Sequence, residues 1–161
     1  MAGSVAGISA AFILWQAIAR LLPAIPGGDL PERLALALAS LLPTLVLLNL
    51  MIARQMLLRV RTGAMSPLAG LDGPSLRVNQ RVLTNSVEQL AGFAPAHLAL
   101  AAGAVSDWMP FVVATGFVFA LARLAFWVGY LVDPLMRSPG MAATFTINCA
   151  TLVAAIWVWW P

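Results

Sequence analysis

Four polar residues within the stretch Asp72–Phe93 share one side of a predicted helix. Arg77, Arg81, Asn85 and Glu88 follow one another at spacings of four, four and three residues. At 3.6 residues per turn, these spacings align the side chains along one helix face. Because the face carries two guanidinium groups, an amide and a carboxylate, it must meet something polar, either a partner or a ligand.

The chain that carries this face is too apolar for an ordinary globular domain. Hydrophobic residues make up 61% of its 161 residues, charged residues make up 9%, and the mean hydropathy is +0.92. A soluble domain has about 25% charged residues. We therefore expect an all-α integral membrane protein with room for one compact bundle and no separate soluble domain.

Several classes of function find no support in the composition. The net charge of +3 comes from nine dispersed arginines without a basic aromatic surface, so nucleic-acid binding is not expected. Cys149 is the single cysteine and His97 the single histidine, so neither an internal disulfide nor a His/Cys metal site is predicted. We expect both residues to be packing residues.

Hydropathy and turn residues predict five membrane spans. One is the helix that starts at Pro74, carries the polar face and continues to about Val105. Helix breakers and short polar loops separate the spans, and short loops favour antiparallel neighbours in a bundle. The other four spans are Val5–Leu22, Leu34–Ala53 with an extension to about Val60, Trp108–Val132 and Met141–Trp160.

The arginines predict the orientation of these spans. The region from Arg54 to Arg81 holds five of the nine arginines, and Arg137 lies in the other loop on the same side. By the positive-inside rule these loops face the cytoplasm, with Met1 inside and Pro161 outside.

Two helix starts have recognisable signals. Pro74 suits a first helical position, with Asp72 or Ser75 as the capping side chain, and Ser138 followed by Pro139 suits a cap and first-turn pair. Both starts lie at the predicted cytoplasmic side.

Ionisable residues inside a span are expensive and tend to face a cavity, a partner or a ligand. Glu88 and Arg123 are predicted at similar depths in antiparallel helices, so one interpretation is a purely structural ion pair. The other is a polar cavity that opens toward the cytoplasm. Six residues can converge on that cavity: Arg81, Asn85, Glu88, Arg123, Tyr130 and Arg137.

At these residues, from about Leu34 to the C terminus, the chain resembles the MAPEG family, the membrane-associated proteins of eicosanoid and glutathione metabolism, and in particular its bacterial branch. The family pattern has a basic residue ending one helix, R-A-x-x-N-x-x-E opening the next, then an arginine, a Gly-Tyr pair and a further arginine. In this chain the corresponding residues are Arg54, then Arg81, Asn85 and Glu88, then Arg123, Gly129, Tyr130 and Arg137.

The resemblance implies a homotrimer of four-helix bundles that binds glutathione as co-substrate between neighbouring subunits. It implies conjugation, peroxidase or isomerase chemistry on lipophilic electrophiles in the membrane. It implies that Arg54 and Arg81 bind the glutathione carboxylates and that Glu88 binds the ammonium group. The resemblance further assigns Asn85 and Arg123 to the binding site, and Arg137 and Tyr130 to the sulfur as catalytic residues. An inner-membrane location, with the site open to the cytoplasm, follows from the same resemblance and from the arginines.

The chain also departs from the family pattern at Val82, Leu83, Gln89 and Phe126, which replace a small residue, a polar residue and two aromatic residues. Fewer hydrogen bonds to glutathione would result, so a catalytically silent scaffold that binds lipid or a partner is the main alternative. A small transporter is a lesser one, because no inverted repeat is visible. Residues 1–30 are predicted to form an extra helix and loop, and residues 31–161 the family domain.

Overall fold

The computed structural model describes residues 2–23, 28–66 and 70–161, and within these ranges the long elements are all helices. The predicted all-α fold is therefore confirmed. Helix breakers predicted at Pro26, Gly27 and Pro67 lie outside the described residues. The five long helices are α1 (Ala2–Leu21), α2 (Leu30–Thr62), α3 (Pro74–Gly103), α4 (Met109–Val132) and α5 (Ser138–Trp159), with a short 3-10 helix at Ser106–Trp108.

Four helical segments of the described chain are long and apolar enough to cross a membrane: α1, α2, α5 and the segment Ser106–Val132 that contains α4. The fifth predicted span, α3, carries the polar face and is not among them. It nevertheless runs the length of the bundle beside α2. Near one end of the pair Asn79 donates to the Met51 carbonyl at 3.1 Å, and at the other end Arg33 donates to the Ala104 carbonyl.

Helices α2 to α5 form an antiparallel four-helix bundle in which α4 contacts every other long helix. Helix α2 lies against α3 and α4, and α5 completes the bundle against the same two helices. Gly116 allows the close approach of α4 to α2, because a Cβ at this position would lie 2.3 Å from the Ser40 hydroxyl oxygen. The face of α4 that carries Arg123 and Tyr130 is therefore held inside the bundle.

Helix α1 packs outside this bundle, and among the long helices of the described chain it contacts α4 and α5. A Cβ on Gly7 would lie 2.2 Å from the Pro139 carbonyl oxygen, so the backbones of α1 and α5 are in direct contact. The Trp15 indole N–H donates to the Phe111 carbonyl and to the Thr115 hydroxyl, each at 3.0 Å, which fixes α1 to the start of α4. The domain boundary near residue 30 stays a prediction.

The helix starts differ in part from the sequence signals. Pro74 is the first residue of α3 as predicted, but neither Asp72 nor Ser75 caps it; the N-cap is Gly73, without a side-chain hydrogen bond. That prediction was wrong because the Asp72 carboxylate instead pairs with Arg59 at 3.0 Å. At α5, Ser138 is the first helical residue and not the cap, whereas Pro139 occupies the first turn as predicted.

The connections from Thr62 to Pro74 and from Val132 to Ser138 join helix ends on the same side of the bundle, since the helices alternate in direction. That side faces the cytoplasm in our prediction, because six of the nine arginines lie there or in the adjoining helix ends.

Single cysteines introduced by Thr62→Cys and Asp29→Cys, in a Cys149→Ser background, test the orientation. An impermeant thiol reagent added to intact cells is expected to label only Asp29→Cys. Labelling of Thr62→Cys alone would show that the topology is the reverse of the predicted one.

Candidate functional site

The polar face predicted on α3 exists, and it points away from the chain's own bundle. Arg77, Arg81 and Glu88 are exposed, as are Gln80 and Thr84 between them. None of the charged three pairs with a carboxylate or a cation among the described residues. A row of charged and amide side chains at this depth needs a polar cover, because lipid is a poor solvent for it.

Asn85 lies at the inner edge of this face and contacts the one arginine in the bundle core. Arg123 is 1% exposed, and its Nη2 donates to the Asn85 side-chain oxygen at 3.2 Å and to the Ser86 hydroxyl at 2.8 Å. The guanidinium also lies over the Phe126 ring, 4.1 Å from its centroid. Its Nε and Nη1 have no hydrogen-bond partner in the described part of the chain.

The structural ion pair between Glu88 and Arg123 is not formed. The guanidinium of Arg123 lies at the level of Asn85 and Ser86, and Glu88 is exposed on the outer side of α3. The interpretation of a purely structural Glu88–Arg123 pair was therefore wrong, because a neutral amide and a hydroxyl take the place of the carboxylate. Glu88 consequently stays available to a ligand or a second subunit, whereas Arg123 is enclosed in the bundle and reaches the polar face only through Asn85.

Tyr130 and Arg137 form a second pair at the end of α4. The Arg137 guanidinium donates to the Tyr130 hydroxyl at 2.8 Å and lies 4.8 Å from the centre of its ring. Tyr130 is buried, whereas Arg137 is exposed on the turn before α5. Gly129 allows this turn to fold back, since a Cβ there would lie 2.3 Å from the Met136 carbonyl oxygen. The pair presents a cation and a hydroxyl that can together stabilise an anion.

Arg54 belongs to a polar network that the sequence analysis missed. Its Nη1 donates to the side-chain oxygen of Asn79, a residue with no exposed surface, at 3.0 Å. A signal existed in the sequence, because Asn79 shares the apolar side of α3 with Leu76 and Val82, where a polar residue needs a partner. The structure thus places Arg54 on the inner side of α3 and Arg81 on its outer side.

The residues that depart from the family pattern make contacts of their own. Phe126 lies beneath Arg123, and Val82 is completely buried. The Gln89 side-chain oxygen accepts from Asn148 at 2.6 Å, which links α3 to α5. These positions are therefore occupied by packing and by helix contacts within the chain.

The two isolated residues with reactive side chains have different environments. His97 is buried and lies 2.9 Å from the Ser40 hydroxyl through its Nε2, as expected of a packing residue. Cys149 is exposed on α5, so its prediction as a packing residue was wrong. One face of α5 packs against the bundle and the other face is exposed, and Cys149 lies on the exposed face.

Long apolar helices in an antiparallel bundle, with a buried arginine and an outward polar face, define a helical integral membrane protein. The MAPEG family model matches residues 34–157, which is most of the chain, and the protein therefore belongs to the MAPEG family. The match runs from the end of the first turn of α2 into the last turn of α5, and it does not include α1. Comparisons with curated proteins and with solved structures found no match.

Proposed function

We propose that the protein is a glutathione-dependent transferase or peroxidase that acts on lipophilic electrophiles in the membrane. Family membership supports the class of activity, since the MAPEG family includes glutathione transferases and peroxidases. The observation that carries the proposal is the outward polar face of α3, on which Arg81 and Glu88 have no partner in the described chain.

Exposure of this face to lipid would be unfavourable, because a charged side chain at the centre of a membrane helix costs about 2.5–3.5 kcal/mol on insertion scales. A second copy of the chain can cover it, and the family resemblance favours a homotrimer. The binding site then lies between two subunits, with α3 as one wall. Its polar opening faces the cytoplasmic side of the membrane, which for a bacterial chain is the inner membrane.

Glutathione matches the charges of Arg81 and Glu88 on this wall together with that of Arg54 on the neighbouring helix α2. It carries two carboxylates and one ammonium group, so Arg54 and Arg81 bind the carboxylates and Glu88 binds the ammonium. Asn85 binds an amide of the tripeptide, and Arg123 holds the Asn85 side chain through the hydrogen bond at 3.2 Å.

Arg137 and Tyr130 act on the sulfur. A thiol with a reference pKa of about 8.5 is mostly protonated at neutral pH, and an adjacent guanidinium favours the thiolate. In transfer, the thiolate sulfur forms a bond to the electrophilic carbon of the second substrate, the bond from that carbon to the leaving group breaks, and the leaving group departs with the electron pair of the broken bond. Tyr130 already accepts a hydrogen bond from Arg137, so its own O–H is free to donate to the sulfur.

A catalytically silent scaffold is the second candidate. Val82 and Leu83 replace residues that in the family pattern are small and polar, and Val82 is fully buried in this chain. The scaffold binds lipid or a partner on the same face of α3 without ionising a thiol.

Binding of glutathione to the purified, detergent-solubilised protein tests the proposal. Arg81→Ala is expected to weaken binding by about 10- to 100-fold, which corresponds to a hydrogen bond to a charged group. The matched control is Arg61→Ala, because Arg61 is also exposed near the cytoplasmic end but lies on α2, away from the α3 face. Absence of binding to the wild-type protein would refute the function. Equal binding by wild type and Arg81→Ala would place the site elsewhere.

A further inference from the structure

A buried amide network joins α2 to α3 beside Arg54. The Asn79 side-chain nitrogen donates to the Met51 carbonyl at 3.1 Å and to the Gln55 side-chain oxygen at 2.8 Å. The Asn79 side-chain oxygen accepts from Arg54 Nη1 at 3.0 Å. The side-chain nitrogen and oxygen of Asn79 therefore both have partners. Gln55 in turn donates to the Gln80 side-chain oxygen at 3.2 Å, which extends the network to the outer side of α3.

These partners fix which way the Asn79 amide points. A flipped amide would direct its oxygen at the Met51 carbonyl and its N–H groups at a guanidinium, which offers donors only. Both contacts would be repulsive in a buried position, where no water can replace the lost hydrogen bonds. The Asn79 oxygen is therefore held toward Arg54.

Asn79 holds the arginine without neutralising it. Arg59, five residues further along α2, has its charge compensated by the Asp72 carboxylate at 3.0 Å. Arg54 has no carboxylate partner among the described residues and is only half-buried. An amide oxygen occupies one N–H of the guanidinium and leaves the positive charge and the other donors for an anionic ligand.

We propose that Asn79 is a positioning residue for glutathione binding, because it fixes Arg54 in place while leaving the charge of Arg54 to a glutathione carboxylate. This inference rests on the proposed function. An arginine side chain has many rotamers, and ordering it before the ligand arrives removes part of the entropic cost of binding. Asn79 has no exposed surface, so it acts through Arg54 and does not contact the ligand.

Asn79→Leu tests the proposal, because leucine has a similar size and cannot hydrogen-bond. The expected result is about tenfold weaker glutathione binding by calorimetry and an equal rise in the KM for glutathione. The kcat at saturating glutathione and the KM for the electrophile should not change, since neither depends on Arg54. A general weakening of the fold would not raise the KM for glutathione while leaving kcat and the KM for the electrophile unchanged.

Ser40→Ala is the matched control. It also removes a buried hydrogen bond between α2 and α3, to His97, but about 21 Å along α2 from Arg54. Glutathione affinity should stay at the wild-type value in this variant. An affinity loss in Ser40→Ala equal to that in Asn79→Leu would refute a positioning role, because it would show that any loosening of the two helices weakens binding.

A double-mutant cycle shows whether Asn79 acts through the arginine. In an Arg54→Leu background, Asn79→Leu is expected to add no further loss of affinity, whereas independent losses that add would overturn the inference. Asn79→Ala serves if the leucine variant does not fold, because alanine also removes the amide and fits within the same space. It should weaken glutathione binding by a similar factor.

The outcomes separate the two proposals. If the wild-type protein binds glutathione and both Asn79 variants bind it equally well, the positioning role is refuted and the proposed function stands. If the wild-type protein binds no glutathione, the proposed function fails and this inference fails with it.

Discussion

The variant Arg137→Leu is expected to bind glutathione but to leave its thiol protonated at neutral pH. Arg137 presents its guanidinium beside the Tyr130 hydroxyl, and a cation within hydrogen-bond reach lowers a thiol pKa by one to a few units. Each unit corresponds to about 1.36 kcal/mol of preference for the thiolate. Titration of the protein with glutathione, followed by ultraviolet absorbance of the thiolate, reports ionisation, and calorimetry reports affinity independently.

Arg81→Ala is the complementary variant, because Arg81 lies on the face proposed to bind a carboxylate and not at the sulfur. It should lose affinity and, at saturating glutathione, retain the thiolate signal. Arg137→Lys should keep part of that signal, since the charge remains while the planar donor geometry is lost. If the wild-type protein binds glutathione but shows no thiolate absorbance at any pH below the pKa of the free thiol, the proposed enzymatic function is contradicted. That result would favour the silent scaffold.

A large loss of stability is expected from Gly140→Ala. A Cβ at this position would lie 2.2 Å from the Phe126 amide nitrogen and 2.6 Å from its Cα, and backbone atoms cannot move aside as a flexible side chain can. Helix α5 must therefore shift away from α4, at an expected cost of about 1–3 kcal/mol for overpacking. The measurement is the apparent Tm in detergent, which should fall by several degrees.

Gly92→Ala is the matched control for this prediction. Gly92 is also inside a helix of the bundle, but a Cβ there meets no atom within 4 Å. Replacement of a helical glycine by alanine then improves helix propensity by about 1 kcal/mol, so the Tm should stay equal or rise. A Tm for Gly140→Ala equal to that of the wild type would show that α4 and α5 are not in backbone contact.

The fold followed from composition and periodicity because both are local properties of the chain. Runs of apolar residues long enough for a membrane predicted the helices, and Pro74 marked the start of α3 correctly. The capping side chains were not predictable in the same way. Asp72 had two possible partners, and its use by Arg59 depends on how the loop returns from α2 to α3.

The site was predictable in its residue types and less so in its pairs. The spacing of Arg81 and Glu88 placed both on one face of α3, and the structure has them there. The partner of Arg123 was misjudged, because depth in the membrane alone does not distinguish Glu88 from Asn85 and Ser86, which lie one turn away. Asn79 was missed although its place on the apolar side of α3 was a signal, because the sequence does not show that its partner is Arg54.

The polarity of α3 also has a consequence for how the chain enters the membrane. Of the five long helices of the described chain, it is the one that is long enough but not apolar enough to qualify as a span by itself, and in the predicted topology it crosses together with its charges. Each arginine or acidic residue near the centre of a span opposes insertion of an isolated helix. Helix α3 therefore depends on neighbours that follow or precede it in synthesis. The hydrogen bonds that Asn79 makes to α2, and those that Arg123 of α4 makes to Asn85 and Ser86, are partners that an isolated α3 would lack.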